Sequence, residues 1–332
     1  MSSLFEALDE SYAGALACLT ELTPGHTSPA RRTEPGRSEA QQSIDALVSA
    51  AVRYRASTEY RRLLEFIRAF RSYSPFNGLL VDIQRPGSTF VAPAHRWHRQ
   101  YGRTLRSDAR PLAILQPFAP VMFVFDVADT EATQDAPPLP PEVTDPFTVV
   151  ATPSTAEVER AIDRTLTNAI RDGVRAGDVG FGSQLAGRIG RARPDAGLQP
   201  FQVRARPEPR FEQVPVRYEL EVSATQSGIT RYATICHELA HLYCGHLGSP
   251  NDKWWSDRRY VDRDTAEFEA ESVSSIAVWR LDPQAAMPPY LHQHLNEHDE
   301  VPDGMSLERI TTVAKLLEDM ASSRMPSRTA SA

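Results

Sequence analysis

The run His237-Glu238-Leu239-Ala240-His241 constrains this chain more than any other part of its sequence. It lies within residues 230–244, whose apolar spacing predicts an α-helix. Because side chains four residues apart on a helix project from the same face, the imidazoles of His237 and His241 can chelate one Zn²⁺ ion. The sequence therefore predicts a helix that carries two zinc ligands.

Glu238 follows the first histidine of this run by one residue. A carboxylate at this position can reach a water beside the metal, accept its proton and return it to a leaving amine. Zinc supplies the Lewis acid that such a hydrolysis needs. We therefore predict Glu238 as the catalytic general base. The alternative interpretation is a helix that carries this short pattern by chance.

A third zinc ligand is expected in the acidic run 267–271, because a catalytic zinc takes three protein ligands and leaves a fourth position for water. Glu267 and Glu271 share one face of the helix predicted over 264–281, whereas Glu269 points elsewhere. We predict Glu267 as the ligand, and Glu271 as the partner of a free nitrogen on a ligating histidine. The sequence leaves open which of these two glutamates is the ligand. A solvated acidic face is the alternative.

Other histidines and cysteines near this region have plainer interpretations. His246 can line the cleft, or act as a cation at the carboxyl end of its helix. The three histidines within 292–298 lie in a stretch rich in Pro, Asn and Asp, and we expect them to be exposed. Cys236 and Cys244 are interpreted as small buried residues.

Composition limits the class of protein. The chain has 332 residues, of which 41% are hydrophobic, and can form two modest cores. It has no apolar run near the ~20 residues that cross a bilayer, and no basic start followed by an apolar stretch. Three cysteines without an export signal indicate reduced thiols. We expect a cytoplasmic protein without a membrane partner.

The net charge of -7 argues against indiscriminate coating of nucleic acid.

Proline content and apolar periodicity predict how the chain is divided. Residues 131–150 are acidic and rich in proline, which predicts a linker between two domains. The predicted segments are a flexible amino-terminal segment (1–44), a small α+β domain (45–130), this linker (131–150), a second domain (151–320) and a disordered tail (321–332).

Local patterns also predict individual elements. Ser154 and Glu157 form a capping-box pattern, and apolar residues at fourfold spacing extend the following helix to Val174. A further helix is predicted to bury apolar residues between 307 and 320. The remaining predictions are a turn over 74–78, a loop over 177–200 and a single strand over 214–222.

Residues 232–241 with the acidic run 267–271 resemble the zinc peptidase domain of the ImmA/IrrE and ArdC-type families. Those families carry the same His-Glu-Leu-Gly/Ala-His helix and a downstream Glu-rich helix. The resemblance covers about 210–282. It implies a zincin-like, gluzincin-type metallopeptidase domain that hydrolyses a peptide bond in a cellular protein, with a DNA-bound regulator as the candidate substrate.

The amino-terminal half resembles the single-stranded-DNA-binding domain of the ArdC-like antirestriction family over about residues 55–130. The basic turn of that family, rich in Lys and Gly, is replaced here by 105–110. The motifs that recur in order are Tyr73-Ser74, Asn77, Gln84-Arg85-Pro86, Trp97, Gly102-Arg103, the run 111–115 and the run 124–127.

This second resemblance implies that single-stranded DNA is a partner. Arginines that track phosphates and aromatic rings that stack on bases alternate along one stretch. The candidate residues are Arg96, Trp97, Arg99, Tyr101, Arg103 and Arg106. The alternative is that the two rings pack in the core beneath a solvated arginine face.

Together these patterns predict a two-domain α+β protein, with an ArdC-like amino-terminal domain and a zincin-like zinc metallopeptidase domain. The alternative function is an antirestriction-type DNA-binding protein with a structural or vestigial zinc, and a third is a regulatory pseudo-enzyme. Glu238 discriminates between them, because a structural zinc needs no base beside it and takes a fourth protein ligand.

Overall fold

The computed structural model describes residues 53–115, 121–145, 152–180, 186–286, 294–295 and 298–328. Helices and small sheets make these residues a mixed α+β chain, as the sequence predicts. Two compact units form. The first consists of the described parts of Met1–Glu59 and Asn77–Val149, and the second of those of Tyr60–Phe76 and Val150–Ala332. The predicted segment 1–44 lies outside the described residues.

Eight α-helices occur in the described ranges, and none of them is long and apolar enough to cross a membrane. They are α1 (Ser57–Ala69), α2 (Pro75–Gln84), α3 (Ala94–Tyr101), α4 (Pro141–Thr144), α5 (Thr155–Ala169), α6 (Gly228–Tyr243), α7 (Arg263–Leu281) and α8 (Leu307–Ser322).

The strands form two three-stranded sheets and two two-stranded pairs. They are β1 (Val91–Ala92), β2 (Arg103–Leu105), β3 (Leu112–Leu115), β4 (Val121–Asp126), β5 (Thr130–Ala132), β6 (Val174–Val179), β7 (Gly187–Arg191), β8 (Leu198–Arg204), β9 (Arg210–Pro215) and β10 (Tyr218–Ser223).

The first unit contains the antiparallel sheet β1-β4-β3 and the pair β2-β5. Side-chain amides of α2 cover the outer edge of β3. Asn77 exchanges two hydrogen bonds with the backbone of Leu115, and Gln84 exchanges two with the backbone of Ala113. These amides take the place of a fourth strand, so the edge is not open to pairing with another chain.

The core of the first unit includes part of the predicted linker. Val143 of α4 is buried in one cluster with Phe90, Trp97 and Tyr101. The linker prediction for 131–150 therefore needs correction in its described part, because β5 and α4 pack on the first unit. Pro141 occupies the first turn of α4, where its fixed φ favours a helix start, so proline does not prevent regular structure here.

The second unit contains the sheet β6-β10-β7 and the hairpin β8-β9. Strand β10 is central, parallel to β6 and antiparallel to β7. Helix α6 packs against α7, against α5 and along β7. The predicted metal-binding helix is therefore α6, and it lies between an edge strand and the acidic helix α7.

Residues 154–174 of the second unit confirm one predicted pattern and correct another. The capping box of Ser154 and Glu157 forms as predicted. The helix ends at Ala169, however, and not at Val174, which begins β6. Gly173 makes this reversal with a φ of 88°, and a side chain there would come within 2.6 Å of a backbone oxygen.

Three further predictions were wrong about local structure. The loop over 177–200 contains β7 and parts of β6 and β8, because glycines within it hide the strand pattern. The turn over 74–78 is the first turn of α2, which begins at Pro75. The strand over 214–222 is two strands, β9 and β10.

The described part of the predicted tail packs on the second unit. The first two tail residues belong to α8. Farther along, Arg328 pairs with the buried carboxylate of Asp172 and lies over the rings of Trp254 and Trp255. The prediction of disorder therefore does not hold for 321–328, while 329–332 lie outside the described residues.

Candidate metal centre

Helix α6 presents its two motif histidines on a half-covered face. Its apolar residues Ile235, Leu239 and Leu242 are fully buried, which fixes the rotation of the helix. The side chains of His237 and His241 remain 23% and 15% exposed. The helix thus turns both imidazoles toward α7, where they are reachable from solvent.

Helix α7 supplies the acidic side chains opposite α6. Asp262 caps its start, accepting hydrogen bonds from the backbone N–H and the hydroxyl of Thr265 at 2.9 and 2.7 Å. With the start fixed, Glu267 and Glu271 face α6, and Glu269 lies on another, fully buried face.

The three predicted ligands come together in one small cluster. Nε2 of His237 lies 3.3 Å from Nε2 of His241. Oε2 of Glu267 lies 3.3 Å from the first of these nitrogens and 3.6 Å from the second. Tetrahedral zinc, with ligands at about 2.0–2.2 Å, requires ligand separations of about 3.3–3.6 Å. The three atoms therefore fit such an ion.

Glu271 contacts the other side of the first ligand, since its Oε2 lies 3.2 Å from Nδ1 of His237. Burial lowers the pKa of His237, but hydrogen bonds to Glu267 and Glu271 outweigh it and raise this pKa to about 10. Hydrogen bonds to His237 and His241 hold the pKa of Glu267 well below its usual range. Both shifts favour an ionised Glu267 beside a protonated His237, the charges of an ion pair, whereas burial lowers the pKa of His241.

A second set of side chains lies behind His241, and of these sequence reasoning placed only His246 near the cleft. Nδ1 of His241 is 3.1 Å from Nδ1 of His246, whose Nε2 is 2.9 Å from Oε2 of Glu269. Arg258 donates to both oxygens of Glu269 at 2.6 and 2.8 Å, and the backbone N–H of Ser306 donates at 2.8 Å. Burial raises the pKa of Glu269, but hydrogen bonds from His246 and Arg258 lower it on balance.

The side chain of the predicted base Glu238 extends from α6 toward β7. Burial raises the pKa of its carboxyl group, and the backbone N–H of Ile189 donates a hydrogen bond to it. A side chain at Gly187 would come within 2.6 Å of Thr234 and 3.4 Å of Cγ of Glu238. Gly187 thus lets β7 run against the motif helix.

The candidate ligand group has three members. Among the residues that the structure describes, no fourth His, Cys, Asp or Glu joins His237, His241 and Glu267 within 4.8 Å. A three-ligand set is the arrangement of catalytic zinc, whereas structural zinc is held by four protein ligands.

The remaining histidines and cysteines stay outside this group. His294 lies 3.7 Å from Asp264, and the side chain of His298 is exposed. His292 lies outside the described residues. Cys236 and Cys244 are buried as predicted, and burial raises the pKa of both thiols, that of Cys236 to about 12.

The predicted stacking role of Trp97 and Tyr101 is wrong for the structure as it stands. Trp97 is fully buried and donates its indole N–H to the carbonyl of Phe125 at 2.9 Å. Tyr101 is 4% exposed, and its ring lies 5.1 Å from that of Trp97. Neither ring can stack on a base, so the alternative interpretation as core residues applies.

The four arginines of this stretch are arranged less uniformly. Arg96 lies over the rings of Phe90 and Tyr101, and Arg103 hydrogen-bonds the hydroxyl and carbonyl of Thr130. Arg99 and Arg106 are exposed, and Arg106 also pairs with Asp108 at 3.3 Å. Contacts to phosphates remain a prediction for the exposed arginines.

Comparisons with known proteins give no family assignment. No protein-family model matches the chain, and neither does any curated protein or any solved structure. The side chains of the site therefore carry the functional argument.

Proposed function

We propose that this protein is a zinc-dependent metallopeptidase with a zincin-like second domain. The observation that carries the proposal is the convergence of His237, His241 and Glu267 on one point, with separations that suit tetrahedral zinc. Glu238, the only acidic residue of α6, lies beside this point, next to His237.

An enzyme is favoured over a structural zinc protein by the number of ligands and by Glu238. A structural site closes with a fourth protein ligand, and the described residues offer three. A structural site also has no role for a half-buried carboxylate next to its first ligand. The same features disfavour an antirestriction-type protein whose zinc is structural.

The reaction can be assigned to side chains of this chain. A bound zinc would supply the Lewis acid that polarises a scissile carbonyl and a water molecule. His237, His241 and Glu267 would hold it. Glu238 would accept the proton of the attacking water and deliver it to the leaving amine.

The edge of β7 supports an extended polypeptide as substrate. Ser223 of β10 donates its backbone N–H to Ala186, and Ala192 donates its own to Arg217, just before β10. Because hydrogen-bonded pairs alternate along antiparallel strands, the backbone N–H and C=O groups of Gly187, Ile189 and Arg191 point away from β10. In the described chain, β10 is the one strand that pairs with β7. A peptide can add to such an edge through its other outward main-chain groups, since the N–H of Ile189 already donates to Glu238. The family resemblance adds a DNA-bound regulator as candidate.

The test compares the wild type with Glu238→Gln, which keeps size and shape but cannot accept a proton. Each is expressed at equal level in the host, and new protein amino termini are quantified by mass spectrometry. Zinc content should be equal in the two proteins, while cleavage should fall by about 10²- to 10⁴-fold in the variant.

The outcome separates enzyme from binder. New termini that appear with the wild type and vanish with Glu238→Gln support the peptidase. Identical termini and identical cellular function in both, with loss of function in His237→Ala, would show that zinc is structural.

A further inference from the structure

We propose that His246 and Glu269 are positioning residues of the metal centre, which fix the ring orientation and the tautomer of His241. This inference rests on the proposed zinc site. Its geometric basis is the unbroken series of contacts from His241 through His246 to Glu269, at 3.1 and 2.9 Å.

The hydrogen bonds in this series run in one consistent direction. If His241 binds the metal through Nε2, the ring proton of the neutral imidazole resides on Nδ1 and is donated to His246. Nδ1 of His246 must then accept, so its own proton resides on Nε2 and faces Glu269. An ionised carboxylate only accepts, and therefore completes the series.

Glu269 is held as an acceptor by groups on other elements. It is fully buried, and both of its oxygens accept from Arg258, while Ser306 at the cap of α8 donates its backbone N–H. A buried carboxylate with this many donors is satisfied and fixed in place. The position of the His246 ring is thereby set from outside α6.

A second metal site is the competing interpretation of the same residues. Cys244, His246 and Glu269 have ligand atoms within 4.8 Å of one another. The guanidinium of Arg258 already occupies both oxygens of Glu269, however, and would repel a cation placed there. Arg258 balances the negative charge of Glu269, so His246 can act as the hydrogen-bond acceptor of His241.

The two predicted ligands are therefore oriented in different ways. His237 meets the carboxylate of Glu271 directly at 3.2 Å. The outer nitrogen of His241, Nδ1, meets a carboxylate only through a second imidazole. The sequence spacing of five residues between His241 and His246 brings the second ring to the end of α6, where Gly245 turns the chain with a φ of 87°.

The experiment measures zinc affinity, by competition with a chromophoric chelator, in the full chain. His246→Phe keeps a planar ring and loses both hydrogen bonds, and should weaken zinc binding by about 10- to 100-fold. His246→Gln can accept through its oxygen and donate through its nitrogen, and should recover most of that loss. His98→Phe, at an exposed histidine of α3, is the control and should bind zinc as the wild type does.

Three results would overturn the inference. If folded His246→Phe binds zinc as tightly as the wild type, His246 does not position His241, although the metal site stands. If the wild type itself binds no zinc, the proposed function fails together with this inference.

A spectroscopic readout keeps the inference testable where His246→Phe does not fold. In the zinc-loaded wild type, ¹⁵N NMR of the histidine rings should show His246 neutral, with its proton on Nε2. A proton on Nδ1 of His246 is the third contradicting result.

Discussion

The candidate metal centre of the second unit and helix α3 of the first unit both carry rings at helical spacing, but the rings have different surroundings. On α6, the nitrogens of His237 and His241 face other polar atoms and stay partly exposed. On α3, Trp97 and Tyr101 are packed among apolar side chains, and the indole N–H is bonded to the backbone. The first pair of rings is available to a ligand, and the second pair stabilises a core.

The neighbouring elements explain this difference. Helix α6 faces the carboxylates of α7. The half-buried histidine nitrogens and carboxylate oxygens need partners there, and a cation can bind to both. Helix α3 faces Phe90 and Val143, which offer only apolar surface. Residue type and spacing on one helix therefore do not decide its role, whereas the side chains on the facing element do.

The largest expected effect is loss of the metal on removal of either histidine of α6. His237→Ala and His241→Ala should each abolish zinc binding, because a three-ligand site does not survive as two. Metal analysis after dialysis measures this, with His98→Ala on α3 as the matched control. Full zinc occupancy in either α6 variant would contradict the site.

The next effect distinguishes the two glutamates of α7. Glu267→Ala should weaken zinc binding more than Glu271→Ala, because Glu267 reaches both ligand nitrogens and Glu271 reaches the outer nitrogen of His237. For Glu271→Ala we expect a loss of about 10- to 100-fold. Chelator competition gives both constants, and the reverse order would exchange the two roles.

On α3, the expected effect is on stability and not on binding. Trp97→Ala should lower the free energy of unfolding by about 3–5 kcal/mol, because it empties a fully buried site and removes a hydrogen bond. Denaturant unfolding measures this. Leu198→Ala, at a side chain that is 63% exposed, is the control and should cost less than about 0.5 kcal/mol. Equal effects would mean that Trp97 is not a core residue.

The smallest effect is expected at the exposed arginines. Following the resemblance, we predict salt-sensitive binding of single-stranded DNA, carried by phosphates because the rings are buried. Arg99→Gln with Arg106→Gln should lower the salt slope by about 0.7 for each phosphate that is no longer neutralised, with little change in stability. Arg160→Gln in the second unit is the control. Absence of binding at low salt, or an unchanged slope, would end the DNA role.

The sequence predicted the parts of the site that depend on helix periodicity. A helix over 230–244 corresponds to α6, and one over 264–281 to α7. The spacing of Glu267 and Glu271 correctly placed both on one face, and Glu269 on another. Periodicity suffices here because each face is defined within a single helix.

The sequence did not predict what depends on contacts between elements. Arg258 lies in the segment between α6 and α7, and Ser306 precedes α8, so no periodic pattern connects them with Glu269. Glycines in β7 hid the strand beside Glu238. The buried indole of Trp97 was one of two open interpretations, and only its neighbours decided between them.

The central claim, a zinc held by two imidazoles and one carboxylate, is tested most directly by X-ray absorption at the zinc edge of the metal-loaded protein. We predict a four-coordinate shell of nitrogen and oxygen at about 2.0–2.2 Å, with multiple scattering from two imidazoles. A sulfur shell at about 2.3 Å would instead bring in Cys244, and a third imidazole would bring in His246. Either result would contradict the assignment of His237, His241 and Glu267 as the ligands.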